Sequence, residues 1–97
     1  MSKFANITLY HAKWCGHCVS FMPEWNKLTA KKIKNVTFNS YDSENEEAKS
    51  ATINGDALKG FPTIKVTIND NGEKTEIDYM GKRRADEIIN FISQKIK

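Results

Sequence analysis

The segment Asn6–Tyr10 (NITLY) stops at a turn that leads into the chain's two cysteines, Cys15 and Cys18, and a helical pattern begins there. Its β-branched and aromatic residues, ending at that turn, predict a strand buried on both faces, so this strand belongs near the centre of a sheet. From Cys15 to about Ile33 the apolar residues Val19, Met22, Trp25, Leu28 and Ile33 keep helical spacing. Lysines collect at the C-terminal end of that segment, where they complement the helix dipole, and Pro23 inside it predicts a kink. A strand running straight into a helix restricts the chain to β-α-β architectures with a right-handed crossover.

The remaining segments extend the same pattern. Val36–Tyr41 alternates as a second strand, and Ser43 with Glu46 forms a capping-box signature for a short helix towards Ile53. Thr63–Ile68 and Thr75–Tyr79 flank Asn71-Gly72, a pair suited to positive φ at both central positions, which predicts an antiparallel hairpin. Ile88, Ile89, Phe91, Ile92 and Ile96 place a broad apolar stripe on a last helix over Ala85–Ile96. The expected order is β-α-β-α-β-β-α, a mixed four-stranded α/β sheet with helices on both faces. Ninety-seven residues form one domain, 1–97, with no repeat or linker.

Composition narrows the function more by exclusion. A net charge of +3 is far from the clustered charge of a nucleic-acid reader, and no run of about 18 apolar residues could cross a membrane. The first residues lack the apolar core of a secretory signal, so a soluble protein of the cytosol, or one packaged in a virus particle, is expected. Two cysteines cannot build a multi-bridge secreted framework and point to redox chemistry or metal. His11, Cys15, His17 and Cys18 could be written as four zinc ligands, although no second ligand pair appears elsewhere in the chain. A purely structural disulfide across so short a loop would remove little entropy from the unfolded chain.

Two cysteines at i and i+3 on a first helical turn lie on one side, close enough to form a disulfide. Cys15 at the helix start meets unpaired N–H groups that stabilise a thiolate, while Cys18 lies one turn deeper. The expected division of labour makes Cys15 the accessible nucleophile and Cys18 the thiol that resolves the mixed disulfide. His17, exposed on the same turn, can place positive charge beside the Cys15 thiolate, which favours the reduced form and makes the pair a more willing oxidant. Potentials of thioredoxin-type and isomerase-type pairs differ by about 90 mV, or about 4 kcal/mol for two electrons, enough to reverse the net direction of exchange.

The segment Trp14-Cys15-Gly16-His17-Cys18 resembles the active site of protein disulfide isomerase domains in the thioredoxin superfamily. The resemblance extends to Pro23, to Gly60-Phe61-Pro62-Thr63, and to Tyr79, Gly81 and Arg83 ahead of the last helix. It implies a minimal thioredoxin-like fold, with Pro62 cis and packed on the cysteines and Phe61 offering backbone groups to an extended substrate. It further implies a substrate surface of Trp14, Gly16, Phe61 and Gly81, and an Arg83 that adjusts the acidity of Cys18. Asn54-Gly55-Asp56 reads as a small insertion before the proline loop.

Two departures qualify the resemblance. Leu9 stands where the family has a buried acid, and Ser40 stands where that acid's lysine partner sits. Losing both charges together avoids stranding one buried ion. Deprotonation of Cys18 would then rely on water, His11 or Arg83. The chain also begins almost at the central strand, a trimmed plan shared with glutaredoxins, although Lys82-Arg83-Arg84 follows Gly81 where they carry an acidic residue. These features predict a monomeric thiol-disulfide oxidoreductase needing no bound cofactor or metal. Its expected partners are protein disulfides and a recycling reductase or oxidase, or glutathione, and no nucleic acid or membrane. A glutaredoxin-like enzyme using glutathione, or a binding module in which redox is dispensable, are the alternatives.

Overall fold

The computed structural model describes residues 3–97 and extends the first strand beyond the expected Asn6–Tyr10: β1 spans Lys3–His11. It reaches this length because it is hydrogen-bonded on both sides, parallel to β2 (Val36–Asp42) and antiparallel to β5 (Thr63–Asp70). β6 (Glu73–Asp78) pairs antiparallel with β5, giving the sheet order β2-β1-β5-β6. The turn between β5 and β6 is the expected one, with Asn71 at φ 56° and Gly72 at φ 88°. β1 is buried from Ile7 through Tyr10, whereas Asn6 is exposed, so burial on both faces begins one residue later than expected.

Helix α1 (Gly16–Thr29) runs through Pro23 and stops four residues before Ile33. The run Ala30–Lys34 holds three lysines that cannot join a core, and the Lys31 N–H tightens the helix end by bonding the Leu28 carbonyl at 3.2 Å. α2 is a single turn, Glu46–Lys49, capped by the Asn45 side chain, which accepts from the Glu47 N–H at 2.9 Å. The expected cap, Ser43, instead donates its backbone N–H to the His11 carbonyl at 2.7 Å and continues the sheet ladder. After α2 comes a small hairpin absent from the expected order, β3 (Thr52–Ile53) with β4 (Asp56–Ala57), turned by Asn54 at φ 52° and Gly55 at φ 87°. The segment read as a small insertion forms a second Asn-Gly turn. The last helix, α3, spans Ala85–Lys95.

The core lies between one sheet face and the two long helices. Ala5, Ile7 and Leu9 of β1 and Ile64, Val66 and Ile68 of β5 meet Phe21, Trp25 and Leu28 of α1 and Ile88 and Ile92 of α3. Helices do lie on both sides, but the second face has only α2, with Ala48 buried and Glu47 beside Tyr10 and Tyr41. The rest of that face is polar: Asn6 accepts from Thr37 and Asn39 at 3.1 and 2.8 Å. The topology brings the C-terminal ends of β1 and β2, the start of α1 and the loop before β5 to one end of the sheet.

Candidate active site

Cys15 is the N-cap residue of α1, in extended backbone at φ −92° and ψ 110°. Its sulfur takes the place of the usual capping oxygen and accepts from the Cys18 N–H at 3.2 Å. An amide donor at a helix mouth holds a thiolate more strongly than a thiol. The turn before it is closed by the Cys15 N–H on the Ala12 carbonyl at 3.1 Å. Across the site the Cys15 Sγ lies 3.5 Å from the carbonyl oxygen of Phe61, whose bond to Pro62 is cis, as the resemblance implies. Ala12, Cys15 and Cys18 are buried together, with Phe61 packed against them.

The leading sulfur is less open than expected. Cys15 is 7% exposed and Cys18 2%, so only the order of accessibility follows the expectation. Phe61 is the cause, because its ring and carbonyl close one side of Cys15. The other side is open: Gly16 and His17 are exposed, and Trp14 is 74% exposed with its ring edge-on to Phe61 at 5.9 Å. Burial pushes the Cys18 thiol up to about 11, with its hydrogen bond to Cys15 and the Cys15 charge acting the same way. A hydrogen bond from the Ala12 backbone and the positive charge of Arg83 oppose that rise. The two thiols therefore have separate environments, and Arg83, though exposed, is electrostatically coupled to Cys18.

Beyond the cis-proline a groove is lined by Lys59, Phe61, Pro62, Met80, Gly81 and Arg83, among others. Gly81 is in it for a reason the sequence did not show: a Cβ there would lie 2.7 Å from the Tyr79 hydroxyl, which donates to the Lys82 carbonyl at 2.6 Å. Met80, 84% exposed, was missed, and an isolated methionine offers no pattern by which to find it. Leu9 is fully buried in the core, paired in register with an exposed Ser40, so no charge stands in that position. His11 faces Asp42, Nδ1 to Oδ2 at 3.9 Å, rather than joining the cysteines in a ligand set. Among the described residues, no three His, Cys, Asp or Glu side chains converge as a metal site.

This buried i, i+3 thiol pair at a helix start, facing a cis-proline loop, lies in a chain whose residues 2–94 match the Thioredoxin family model. The chain belongs to the thioredoxin family. Within it, this domain is 39% identical over 89 residues to protein disulfide-isomerase 2-3 of Arabidopsis thaliana, covering 91% of this chain and 19% of that protein. It is 38% identical over 91 residues to the protein disulfide-isomerase A6 homolog of Drosophila melanogaster, covering 94% and 20% respectively. The chain thus spans about a fifth of the length of these curated relatives. Among solved structures, the Trx4 domain of ERdj5 superposes with a TM-score of 0.75 at 22% identity, covering 95% of this chain and 79% of that one. The first thioredoxin domain of mouse protein disulfide-isomerase A4 gives 0.64 at 26% identity, covering 93% and 61%.

Proposed function

We propose that this thioredoxin-family domain exchanges electrons with protein disulfides through Cys15 and Cys18. The Cys15 thiolate attacks one sulfur of a substrate disulfide, forming a mixed disulfide and expelling the other sulfur as a thiolate. Cys18, deprotonated, then attacks the Cys15 sulfur, closing the Cys15–Cys18 disulfide and releasing the second substrate thiolate. The substrate gains two electrons and the pair loses two, to be restored by an external dithiol or by glutathione. Run in reverse, the same steps oxidise a dithiol substrate.

The observation that carries this proposal is the Cys18 N–H on the Cys15 sulfur, with Cys18 itself one turn deeper and its thiol raised. It supplies a nucleophile held at a helix mouth and a resolving thiol that stays protonated until needed. Trp14, Phe61 and the groove to Gly81 offer the surface on which an extended substrate would lie, and exposed His17 sets the redox poise. The Cys18→Ser variant tests the mechanism: incubated with oxidised insulin, it should accumulate a covalent complex that a reductant dissolves and that Cys15→Ser does not form. Absence of a trapped complex would overturn it. Lys59 and Arg83 in the groove favour a second substrate, glutathione, whose carboxylates they could hold. Comparing insulin reduction with deglutathionylation separates the two.

A further inference from the structure

Among the described residues the outer edge of β2 is unpaired, and its free backbone groups match a second copy of themselves. Two hydrogen bonds set the phase of the parallel ladder: the Ala5 N–H on the Asn35 carbonyl at 2.9 Å, and the Ser43 N–H on the His11 carbonyl at 2.7 Å. With Ala5 opposite Val36 and His11 opposite Asp42, residues 37, 39 and 41 turn their backbone groups towards β1. Residues 36, 38, 40 and 42 turn theirs outward. Two of these outward groups are already used, since the Val36 N–H bonds the Ile33 carbonyl at 3.2 Å and the Asp42 carbonyl accepts from Asn45 at 2.9 Å. That leaves the Val36 carbonyl, both groups of Phe38, both groups of Ser40, and the Asp42 N–H.

We propose that two copies of the chain pair antiparallel through β2, with Asn39 opposite Asn39 at the two-fold axis, to make one continuous eight-stranded sheet. In this register Phe38 faces Ser40 of the other copy and the two exchange hydrogen bonds in both directions. Val36 faces Asp42, where one copy has a free carbonyl and the other a free N–H. Every free outward group finds a partner, in six bonds. Beyond the strand, the flanking turns carry Lys34 at the N-terminal end and Glu44 at the C-terminal end, so antiparallel pairing brings the lysine-bearing end of one copy towards the acidic end of the other. Lys31, Lys32 and Lys34 line the groove beside this edge together with Phe38 and Ser40, and no acidic residue lines it.

The other sheet edge shows what a guarded strand looks like. β6 carries Glu73, Lys74, Glu76 and Asp78, and Asn54 of the β3–β4 turn bonds to it through Glu76. β2 reads Val-Thr-Phe-Asn-Ser-Tyr-Asp, uncharged until its last residue and without proline, so it lacks the devices that keep edges apart. A foreign strand could bond Phe38 and Ser40, but the match at Val36–Asp42 and the approach of the lysine-bearing end to the acidic end belong to self-pairing. This proposed dimer departs from the monomer expected from the sequence. It leaves each Cys15 free, because antiparallel pairing sends the two active sites to opposite ends of the sheet.

Sedimentation equilibrium of the full chain under reducing conditions should show a monomer–dimer equilibrium. Ser40→Pro removes one outward N–H from each copy and should raise the dissociation constant about thirtyfold. Asn39→Lys should weaken it as well by opposing like charges at the axis. Lys34→Glu should weaken pairing and Lys34→Glu with Glu44→Lys should restore it, which a merely structural role for either residue would not produce. In the dimer the Phe38 and Ser40 amides should exchange slowly with solvent, and on dilution they alone in β2, with Asp42, should become fast. A monomer at millimolar concentration, or a dimer indifferent to Ser40→Pro, or fast Phe38 and Ser40 exchange in the dimer, would overturn the proposal.

Discussion

Cys18 is governed by opposing influences at one sulfur. Burial and the neighbouring Cys15 raise its thiol to about 11, while the Ala12 backbone and Arg83 pull it down. Because the thiolate is the attacking form, resolution of a mixed disulfide should accelerate about tenfold per pH unit from neutrality, levelling off below that value because Cys15 in the mixed disulfide no longer carries the charge that helps raise Cys18. Stopped-flow measurement of the decay of a Cys15 mixed disulfide checks the slope. Arg83→Gln removes an opposing charge and should move the profile to higher pH, slowing resolution at pH 8; an unmoved profile would show that Arg83 has no positioning role. Gly81 makes a different prediction. Gly81→Ala forces a Cβ onto the Tyr79 hydroxyl and should cost about 1–3 kcal/mol by denaturant unfolding. In a Tyr79→Phe background the cost should shrink, since the closest clashing atom is gone.

At the scale of elements, β1 couples the core to the chemistry. Its residues Ile7 and Leu9 are fully buried, and two residues later the strand ends at His11 beside Asp42. Leu9→Glu would introduce a carboxyl beneath the site where the family carries one. If proton transfer from Cys18 limits resolution here, this variant should speed decay of the mixed disulfide near neutral pH, with circular dichroism confirming that it folds. A slower variant that remains folded would show that proton transfer is already supplied by other groups. Elements were legible in proportion to their length. α1 and α3 carry long periodic patterns and β1 a β-branched and aromatic segment, whereas the boundary of α1 and the cap of α2 turned on single competing hydrogen bonds. Ser43 satisfied the capping pattern, but its N–H was needed by the His11 carbonyl, and Asn45 took the cap.

The whole molecule is asymmetric about its sheet. α1 and α3 share one face and touch each other, so removal of a side chain buried between them should be felt globally. Ile88, fully buried, is such a residue, and Ile88→Ala should cost about 2–5 kcal/mol, seen as a clear loss of Tm in calorimetry. The opposite face has one turn of helix and a polar surface, an imbalance invisible in the list of elements. By itself the sequence determined the four strands of the main sheet and the three helices, the Asn71-Gly72 hairpin, and the placement of two cysteines on one helical turn, because these follow from periodicity and backbone preference within a few residues. Only the tertiary structure decided how far Cys15 is covered, why Gly81 must lack a side chain, and which edge of the sheet stays unpaired. Each of these depends on atoms brought together from distant parts of the chain: Phe61 over Cys15, Tyr79 folded back on Gly81, and β1 inserted between β2 and β5.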